Sequence, residues 1–369
     1  MTLNFTGYIE GYYGRLFDWR DRNRLLGGIA AAAMTSYFYA PKEDAFHRQF
    51  WRQPYDKAWQ AEFAQFAATA VAKNIHPIAG IAPGLDFDFA SLDAPMDQKN
   101  DFTILVAKAR QFLANGASMI ALLMDDIAAD FEARSGSFTN EGSAHAALAN
   151  RLGSAIDAPI IVVPRIYADS LITPDDAQSL TYLEQFAGHL DQHHQVVYCG
   201  DDIVALRPFG DAGGHLDPAS VIIWDNFYAN DYCPNRLFLG PLKKRNLDKS
   251  IVGHFINGTG HKETDKFLLN YLFKKNQKIP FLPKELIPIF SNPFKKISIS
   301  EERKVLNISD KSVRYIFEIT ESDLLLEWKP YIFSALNDIE LSRLKTKKEV
   351  EGFLERRYSP LFKKGLNKN

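Results

Sequence analysis

Cysteine is scarce in this sequence, since Cys199 and Cys233 are the only two among 369 residues. Two cysteines are too few for a disulfide framework, and their spacing is not that of a zinc site. No apolar run reaches the length of a membrane span, and the first residues lack the basic and apolar segments of a secretory leader. We therefore predict a cytoplasmic protein that needs no disulfide, no metal, no cofactor and no membrane.

A surplus of either charge is also missing. Lysine and arginine total 43 and aspartate and glutamate total 45, so the net charge is only -2. Proteins that bind nucleic acid through its phosphates normally carry a strongly basic balance, so we predict no nucleic-acid partner. With 46% hydrophobic residues, a chain of this length can bury one large core and a smaller one.

Lysine and alanine are distributed unevenly, and the change is abrupt. Five lysines precede Gly240, whereas lysine is abundant from Leu242 onward and Ala335 is the only alanine there. Such a shift marks either a domain boundary or a joint between sequences of different origin. We predict a barrel domain over residues 1–262 and a C-terminal helical region over 263–369, with amphipathic stretches at Phe267–Phe273 and Leu341–Arg357.

Short β-rich runs alternate with segments of helical periodicity along the first two thirds of the chain. Segments such as Arg20–Ala33 and Phe102–Ala114 carry apolar residues at three- and four-residue spacing. Eight strand-plus-helix units is the count of a TIM-type (β/α)8 barrel, the α/β fold class that we predict. The predicted strands are Phe5–Glu10, Thr35–Tyr39, His76–Ile81, Ser118–Met124, Pro159–Val163, Gln195–Tyr198, Val221–Trp224 and Ile251–Ile256.

Polar residues follow nearly every predicted strand, and the carboxyl ends of strands are where α/β folds bind ligands. The most informative group is Asp125–Asp126, directly after the apolar run that ends at Met124. Adjacent carboxylates repel each other, so we expect one of them to keep its proton near neutrality. That aspartate would serve as a general acid and its neighbour as an anionic helper.

Other interpretations of this acid pair stay open on the residues alone. The two aspartates can cap a helix, or they can bind Mg²⁺ together with Asp130. A second adjacent pair, Asp201–Asp202, follows the sixth predicted strand. The placement of polar residues after strand upon strand favours a functional site, but it does not choose between the two pairs.

Five segments of the sequence carry a specific resemblance. They are Tyr8-Ile-Glu-Gly-Tyr-Tyr-Gly14, Tyr39-Ala-Pro-Lys-Glu-Asp44 with His47-Arg48 and Trp51-Arg52, Ile81-Ala-Pro-Gly-Leu-Asp86, Leu123-Met-Asp-Asp-Ile127, and Ile223-Trp-Asp-Asn226 through Ala229-Asn-Asp-Tyr232 to Arg236-Leu-Phe-Leu-Gly-Pro241. Together they resemble glycoside hydrolase family 84, the retaining β-N-acetylglucosaminidases that include the protein O-GlcNAc hydrolases. The match covers roughly residues 5–257 and favours Asp125 and Asp126 over the second pair.

The resemblance implies substrate-assisted hydrolysis of terminal β-linked GlcNAc, on proteins or on other glycoconjugates. The acetamido oxygen of the sugar attacks the anomeric carbon and forms an oxazoline, so no enzyme nucleophile is needed. By similarity, Asp125 orients the acetamide N–H. Asp126 protonates the leaving oxygen and later deprotonates water, which requires a raised pKa.

The resemblance also implies which residues hold the sugar. The hydroxyl groups of the sugar would be bound by residues that follow four of the predicted strands. The acetamide group would be bound by residues at the ends of two strands. The first set is Gly11, Lys42, Asn226, Asp231 and Asn257, and the second is Val163, Tyr167 and Trp224.

Three departures from the family pattern mark the far half of the barrel. Pro164-Arg-Ile-Tyr167 stands where the family has Pro-Thr-Glu-Tyr, and Tyr198-Cys-Gly200 replaces Trp-Thr-Gly. The last strand reads Phe255-Ile-Asn-Gly-Thr259 in place of a Thr-Asn-Pro pattern. The alternative function is therefore a catalytically silent barrel that binds GlcNAc. A nucleic-acid or acidic partner for the lysine-rich tail is disfavoured, because glutamate and aspartate are interspersed there.

Overall fold

The computed structural model of the chain describes residues 5–96, 98–232, 250–273, 298–300, 305–307, 323–324, 326–331 and 334. The chain divides into two compact units. The first comprises Met1–Phe227 and Asn246–Gly260, and the second comprises Tyr228–Arg245 and His261–Asn369. The domain boundary that we placed after residue 262 stays a prediction, and the stretch Leu341–Arg357 lies outside the described residues.

The first unit contains a closed barrel of eight parallel strands. Neighbouring strands pair in chain order, and β8 pairs with β1 to close the sheet, for example Tyr8 beside Ile256. The predicted TIM-type barrel is thus confirmed. The strands are β1 Phe5–Glu10, β2 Ser36–Tyr39, β3 His76–Ile81, β4 Met119–Leu123, β5 Ile161–Val163, β6 Gln195–Tyr198, β7 Val221–Asp225 and β8 Gly253–Asn257.

Five α-helices follow the first five strands, and each begins at an aspartate or asparagine. The side chain of that N-cap residue accepts a hydrogen bond from the backbone N–H three residues later, which satisfies a donor that the helix itself cannot pair. The caps are Asp18, Asp56, Asn100, Asn140 and Asp176. The helices are α1 Trp19–Ala31, α2 Lys57–Val71, α3 Asp101–Ala114, α4 Glu141–Ile156 and α5 Ala177–His189.

Alternate residues of the strands point into the barrel, where they form one buried apolar cluster. The aromatic members Phe38, Trp224 and Phe255 pack edge to face near its centre. Burial of such side chains from water is the main favourable term in folding. The cluster fills the barrel below the strand ends, and the polar residues beyond the carboxyl ends lie at the mouth of the barrel.

The second unit is described only in parts. Helix α6 spans Lys262–Phe273, and two short antiparallel strands follow it, β9 Ser298–Ser300 and β10 Val305–Asn307. The Glu327 carboxylate accepts hydrogen bonds from the backbone N–H of Thr264, at 2.8 Å, and from its hydroxyl, at 2.6 Å. It thereby caps the first turn of α6. Among the described residues, no helix is both long enough and apolar enough to cross a membrane.

Candidate active site

Nine of the ten sequence-predicted site residues lie in the first unit, at or just beyond the carboxyl ends of its strands. Their elements are the loop after β1, the loop after β2, and the ends of β4, β5, β7 and β8. The nine are Gly11, Lys42, Asp125, Asp126, Val163, Tyr167, Trp224, Asn226 and Asn257. The tenth, Asp231, belongs to the second unit, where its carboxylate accepts from the Tyr232 N–H at 3.0 Å.

A lysine from the β2 loop lies between the two adjacent aspartates. Lys42 Nζ donates to Asp125 Oδ2 and lies 3.8 Å from Asp126 Oδ2. The Lys42 and Asp125 side chains are almost wholly buried, whereas that of Asp126 is 31% exposed. The cation offsets the repulsion between the carboxylates and leaves Asp126 as the member of the pair that faces outward.

Two tyrosine hydroxyls complete the surroundings of Asp126. Tyr167 donates to its Oδ1 at 2.7 Å, and Tyr13, from the loop after β1, donates to its Oδ2 at 2.9 Å. Tyr167 is 9% exposed and Tyr13 is 43% exposed. Sequence reasoning placed Tyr167 in the site but gave Tyr13 no role, although Tyr13 lies within the segment Tyr8–Gly14 that resembles the family.

The expectation of a raised pKa for Asp126 is wrong for the arrangement seen in this structure. Burial is the largest single effect on this carboxyl group and raises its pKa, whereas the nearby Lys42 cation lowers the pKa. Hydrogen bonds from Tyr167 and Tyr13 stabilise the charged form as well, so the pKa lies below its ordinary value. The sequence shows the neighbouring carboxylate but not these donors, which come from other strands.

The backbone of the aspartate pair is held by Arg48, a buried residue that sequence reasoning also left without a role. Its Nη2 donates to the Asp126 carbonyl at 2.5 Å, and its Nη1 donates to the Asp125 carbonyl at 3.4 Å. Asp126 has a φ of 52°, in the left-handed region, which aspartate and asparagine adopt more readily than most residues. The guanidinium thus fixes the turn that separates the two carboxylates.

Asp125 retains one oxygen for another donor. Its Oδ1 is buried and has no hydrogen-bond partner among the residues that the structure describes. A buried acceptor without a partner costs free energy, on the order of 1–3 kcal/mol, that a correctly placed N–H group would recover. The geometry is therefore that of a carboxylate fixed through one oxygen and available through the other.

The opposite wall of the mouth is a hydrogen-bonded chain that joins β1, β7 and β8. The Gly11 N–H donates to Asn257 Oδ1 at 3.2 Å, and Asn257 Nδ2 donates to Asn226 Oδ1 at 2.9 Å. Trp224 Nε1 donates to the same Asn226 oxygen at 2.8 Å. A Cβ atom at position 11 would lie 2.4 Å from Trp224 Cζ2, so the indole can approach the loop only because residue 11 is glycine.

The residues predicted to receive the acetamide belong to one apolar cluster. Val163, Tyr167 and Trp224 are all members, and so is Cys199 at the end of β6. Burial raises the pKa of the Cys199 thiol, which keeps it neutral, and its sulfur lies 3.6 Å from Asn226 Nδ2. The departure of the sequence from the family pattern at Cys199 therefore places a small apolar group in this wall.

The second acid pair has the contacts of turn-forming residues. Asp201 Oδ1 accepts from the backbone N–H groups of Leu206 and Arg207, at 2.9 and 3.0 Å. Asp202 Oδ1 accepts from the Ile203 N–H at 2.8 Å and from a serine hydroxyl. Carboxylates used in this way order a loop.

Two groups of residues bear on metal binding. Asp130, the third acid of the Mg²⁺ interpretation, pairs with Arg134 at 2.5 Å. Among the described residues, Asp191, His193 and His194 place potential ligand atoms within 4.8 Å of one another, before β6. The Ile160 N–H donates to His194 Nδ1 at 3.2 Å, so the proton of the neutral ring lies on Nε2. Neither ring nitrogen of His194 is then free to bind a cation.

Comparisons with known proteins agree with this geometry. A family model described as NAGidase, beta-N-acetylglucosaminidase, matches residues 6–273. Protein O-GlcNAcase from Mus musculus and its counterpart from Rattus norvegicus are each 30% identical to the chain over 253 residues. The aligned region is 66% of this chain and 26% of each relative, so the chain matches about a quarter of the length of those proteins.

Solved structures show the same fold. A mutant of the Thermobaculum terrenum O-GlcNAc hydrolase superposes with a TM-score of 0.72 at 19% identity, covering 92% of this chain and 82% of that one. CpGH84B superposes with a TM-score of 0.63 at 22% identity, covering 96% of this chain and 66% of that one. At these identities the likeness establishes the fold of the chain.

Proposed function

Because the chain belongs to the β-N-acetylglucosaminidase family of glycoside hydrolases, we propose that it removes terminal β-linked GlcNAc with retention of configuration. The substrate is a GlcNAc-bearing glycoprotein or another glycoconjugate, and the mouse and rat relatives carry the name Protein O-GlcNAcase. The cytoplasmic location stays a prediction from the sequence.

The observation that carries the mechanism is the buried Oδ1 of Asp125, which has no hydrogen-bond partner in the part of the chain that the structure describes. In the first step the acetamido oxygen of the substrate attacks the anomeric carbon, and the bond to the leaving oxygen breaks. Positive charge develops on the acetamide, and its N–H becomes a stronger donor to Asp125 Oδ1. Lys42 fixes the other oxygen of the same carboxylate, so this acceptor is positioned before the reaction begins.

Asp126 supplies the proton that the leaving oxygen takes up. In the second step water attacks the anomeric carbon of the oxazoline, its proton passes to Asp126, and the acetamide re-forms. The lowered pKa of Asp126 keeps its carboxylate ionised, which is the form that accepts a proton in the second step. The acid step requires a protonated carboxyl group, and loss of the hydrogen bond from exposed Tyr13 as substrate enters would raise the pKa toward that form.

The wall opposite the aspartates is the proposed binding surface for the sugar hydroxyls. Gly11, Asn226 and Asn257 are already joined by hydrogen bonds, so their polar groups are fixed in advance. Val163 and Trp224 provide the apolar surface for the acetamide methyl, and Tyr167 lies beside them. The role of Asp231 rests on the family resemblance.

The test is hydrolysis of an aryl β-N-acetylglucosaminide beside the matching β-glucoside and the α-anomer, each with and without excess EDTA. We expect cleavage of the β-acetamido sugar alone and no effect of EDTA. Comparable cleavage of the glucoside would refute acetamide participation. No cleavage, with GlcNAc still bound in calorimetry, would identify the catalytically silent barrel.

Asp125→Asn tests the acetamide step, and Asp130→Asn is its matched control from the same loop. Ring closure accompanies the departure of every leaving group, so Asp125→Asn should slow good and poor substrates alike. It should also weaken binding of an oxazoline-mimicking thiazoline, measured by calorimetry on folded protein. Asp130→Asn should retain activity, whereas a large loss there would support the Mg²⁺ interpretation. Unchanged thiazoline affinity in Asp125→Asn would remove Asp125 from the mechanism.

A further inference from the structure

A second buried ion cluster lies behind the β5 loop, between helices α4 and α5. The Arg165 guanidinium contacts Glu141 Oε2 through Nε, at 2.7 Å, and through Nη2, at 2.6 Å. Its Nη1 contacts Asp176 Oδ2 at 2.8 Å. Glu141 is the first residue of α4 and Asp176 is the N-cap of α5. One side chain thus ties the β5 loop to two helices.

The backbone of Arg165 is held by the same two helices. Its N–H donates to the Tyr182 hydroxyl at 3.1 Å, and that hydroxyl contacts His145 Nδ1 at 2.5 Å. Tyr182 lies on α5 and His145 lies on α4, and both are buried. Burial lowers the pKa of His145 to about 3, so the ring is neutral and adds no charge to the cluster.

Tyr167 follows Arg165 by two residues and is held from its other side by β6. The Cys199 N–H donates to the Tyr167 carbonyl at 2.7 Å, and Ala168 forms a bridge with Gly200. The Tyr167 hydroxyl then donates to Asp126 Oδ1 at 2.7 Å. Its position therefore depends on two anchors, one at Arg165 and one at the end of β6.

We propose that Arg165 is a positioning residue, which sets the Tyr167 hydroxyl against Asp126 by anchoring the β5 loop to α4 and α5. Arg165 touches neither aspartate of the site, so it acts through Tyr167. This sequence has Arg165 and Ile166 where the family pattern has threonine and glutamate. The anchor at Arg165 is therefore a feature of this chain and not of the family pattern. The inference rests on the proposed function, because the hydroxyl that it positions serves the acid and base of that reaction.

The experiment is a double-mutant cycle on kcat/KM for an aryl β-N-acetylglucosaminide with a poor leaving group. The variants are Arg165→Met, Tyr167→Phe and the double variant. A matched cycle uses Arg52→Met, since Arg52 also bridges two carboxylates, those of Asp86 and Asp101, but does not contact the β5 loop. When one residue acts through another, the effects of the two substitutions on kcat/KM are not additive in free energy. Losses that come from general stability combine independently.

We expect Arg165→Met and Tyr167→Phe each to lower kcat/KM by about 10- to 100-fold, and the double variant to fall little below Tyr167→Phe alone. In the Arg52 cycle, the fold-losses in kcat/KM of the two single variants should multiply in the double variant. Multiplicative losses in the Arg165 cycle as well would overturn the proposal and leave Arg165 a purely structural residue. Arg165→Lys keeps a cation but cannot contact both Glu141 and Asp176 as the guanidinium does. This variant should recover part of the loss in kcat/KM.

Asp176→Asn is the milder variant to use if Arg165→Met does not fold. It removes one partner of the guanidinium and keeps an oxygen to cap α5. The smaller loss of kcat/KM in Asp176→Asn should likewise vanish when Tyr167→Phe is also present. A loss that persists in that double variant would contradict the anchoring role of Arg165. A crystal structure of either variant provides a readout besides turnover, because the Tyr167 to Asp126 hydrogen bond should be broken. An inactive wild type would refute the proposed function, while an intact hydrogen bond in the variant would refute the anchor.

Discussion

Two ion clusters of the first unit have the same parts and opposite electrostatics. Each places one cation between two carboxylates: Lys42 between Asp125 and Asp126, and Arg165 between Glu141 and Asp176. In the first cluster, Lys42 and two hydroxyl donors outweigh burial and lower the pKa of Asp126. In the second, burial outweighs the Arg165 cation and raises the pKa of Glu141 to about 7.

The difference shows what decides the charge of a buried acid. Burial raises the pKa of Asp126 too, but Lys42 and the hydrogen bonds to both of its oxygens together stabilise the charged form by more. Glu141 is only 1% exposed and has lost its water, which the contact with Arg165 does not fully replace. The first cluster also retains a buried acceptor, on Asp125, that has no partner among the described residues, and this oxygen makes the cluster suited to chemistry.

Asp126→Asn breaks the first cluster at its most reactive member and should give the largest effect. General acid catalysis contributes about 10²- to 10⁴-fold, so turnover of substrates with poor leaving groups should fall by that order. Activated aryl glycosides need little protonation and should keep much of their rate. The measurement is kcat/KM across a leaving-group series, and equal losses along the series would contradict the acid role.

Lys42→Met removes the cation that distinguishes the first cluster from a simple repulsive pair. Loss of one partner from a buried charge pair should lower kcat/KM on the order of 100-fold, or about 3 kcal/mol. The pKa of Asp126 should rise, so the alkaline limb of the pH-rate profile should move to higher pH. Lys73→Met, an exposed lysine after α2, is the control. A loss of activity with no shift of that limb would mean that Lys42 binds sugar without tuning Asp126.

Tyr13→Phe makes a finer change, because it removes one hydroxyl donor and leaves the cation. A single hydrogen bond to a carboxylate contributes about 1–2 kcal/mol, so the alkaline limb should move up by about one pH unit at most. At pH values below the limb, kcat/KM should change only a few-fold. A shift of the limb to lower pH would contradict the assignment of Tyr13 as a donor to Asp126.

Glu141→Gln tests the other side of the comparison through stability, and its effect should be the smallest. The folded pKa is about 7 and the ordinary value is 4.5, so the folded protein keeps a proton that the unfolded chain loses between these values. Wild-type stability should therefore fall, relative to the variant, as pH rises from 4.5 through 7. A change of about 1 kcal/mol corresponds to a Tm shift of about 2–4 °C. Thermal scans that show a constant difference across this range would refute the raised pKa.

The strands of the barrel could be predicted well because a buried parallel strand is a short apolar run between turn residues. Strands β1, β3 and β6 have the predicted bounds. Strand β5 begins at Ile161, two residues after the predicted Pro159, since proline cannot donate to the sheet. The polar segments at the carboxyl ends followed from the same pattern, whereas the individual sugar-binding residues were predicted from the family resemblance.

The electrostatics of the site could not be predicted in the same way. Lys42 and Asp125 are 83 positions apart in the chain, and Tyr13 and Asp126 are 113 apart. Adjacent acids are visible in a sequence, whereas donors that arrive from other strands are not, so the raised pKa expected for Asp126 was wrong. Arg48 was unassigned for a related reason: it contacts backbone carbonyls, which no side-chain pattern marks.

The hydrogen bond between Gly11 and Asn257 has a consequence for the order of folding. These residues are separated by 246 positions, so the contact closes one of the longest loops in the barrel. Such long-range closures are slow, because loop entropy is lost before the pairing of β8 with β1 compensates for it. On a ribosome this closure waits until β8 has left the exit tunnel. Binding of a sugar analogue during refolding should therefore appear in the last kinetic phase, as a reporter of barrel closure.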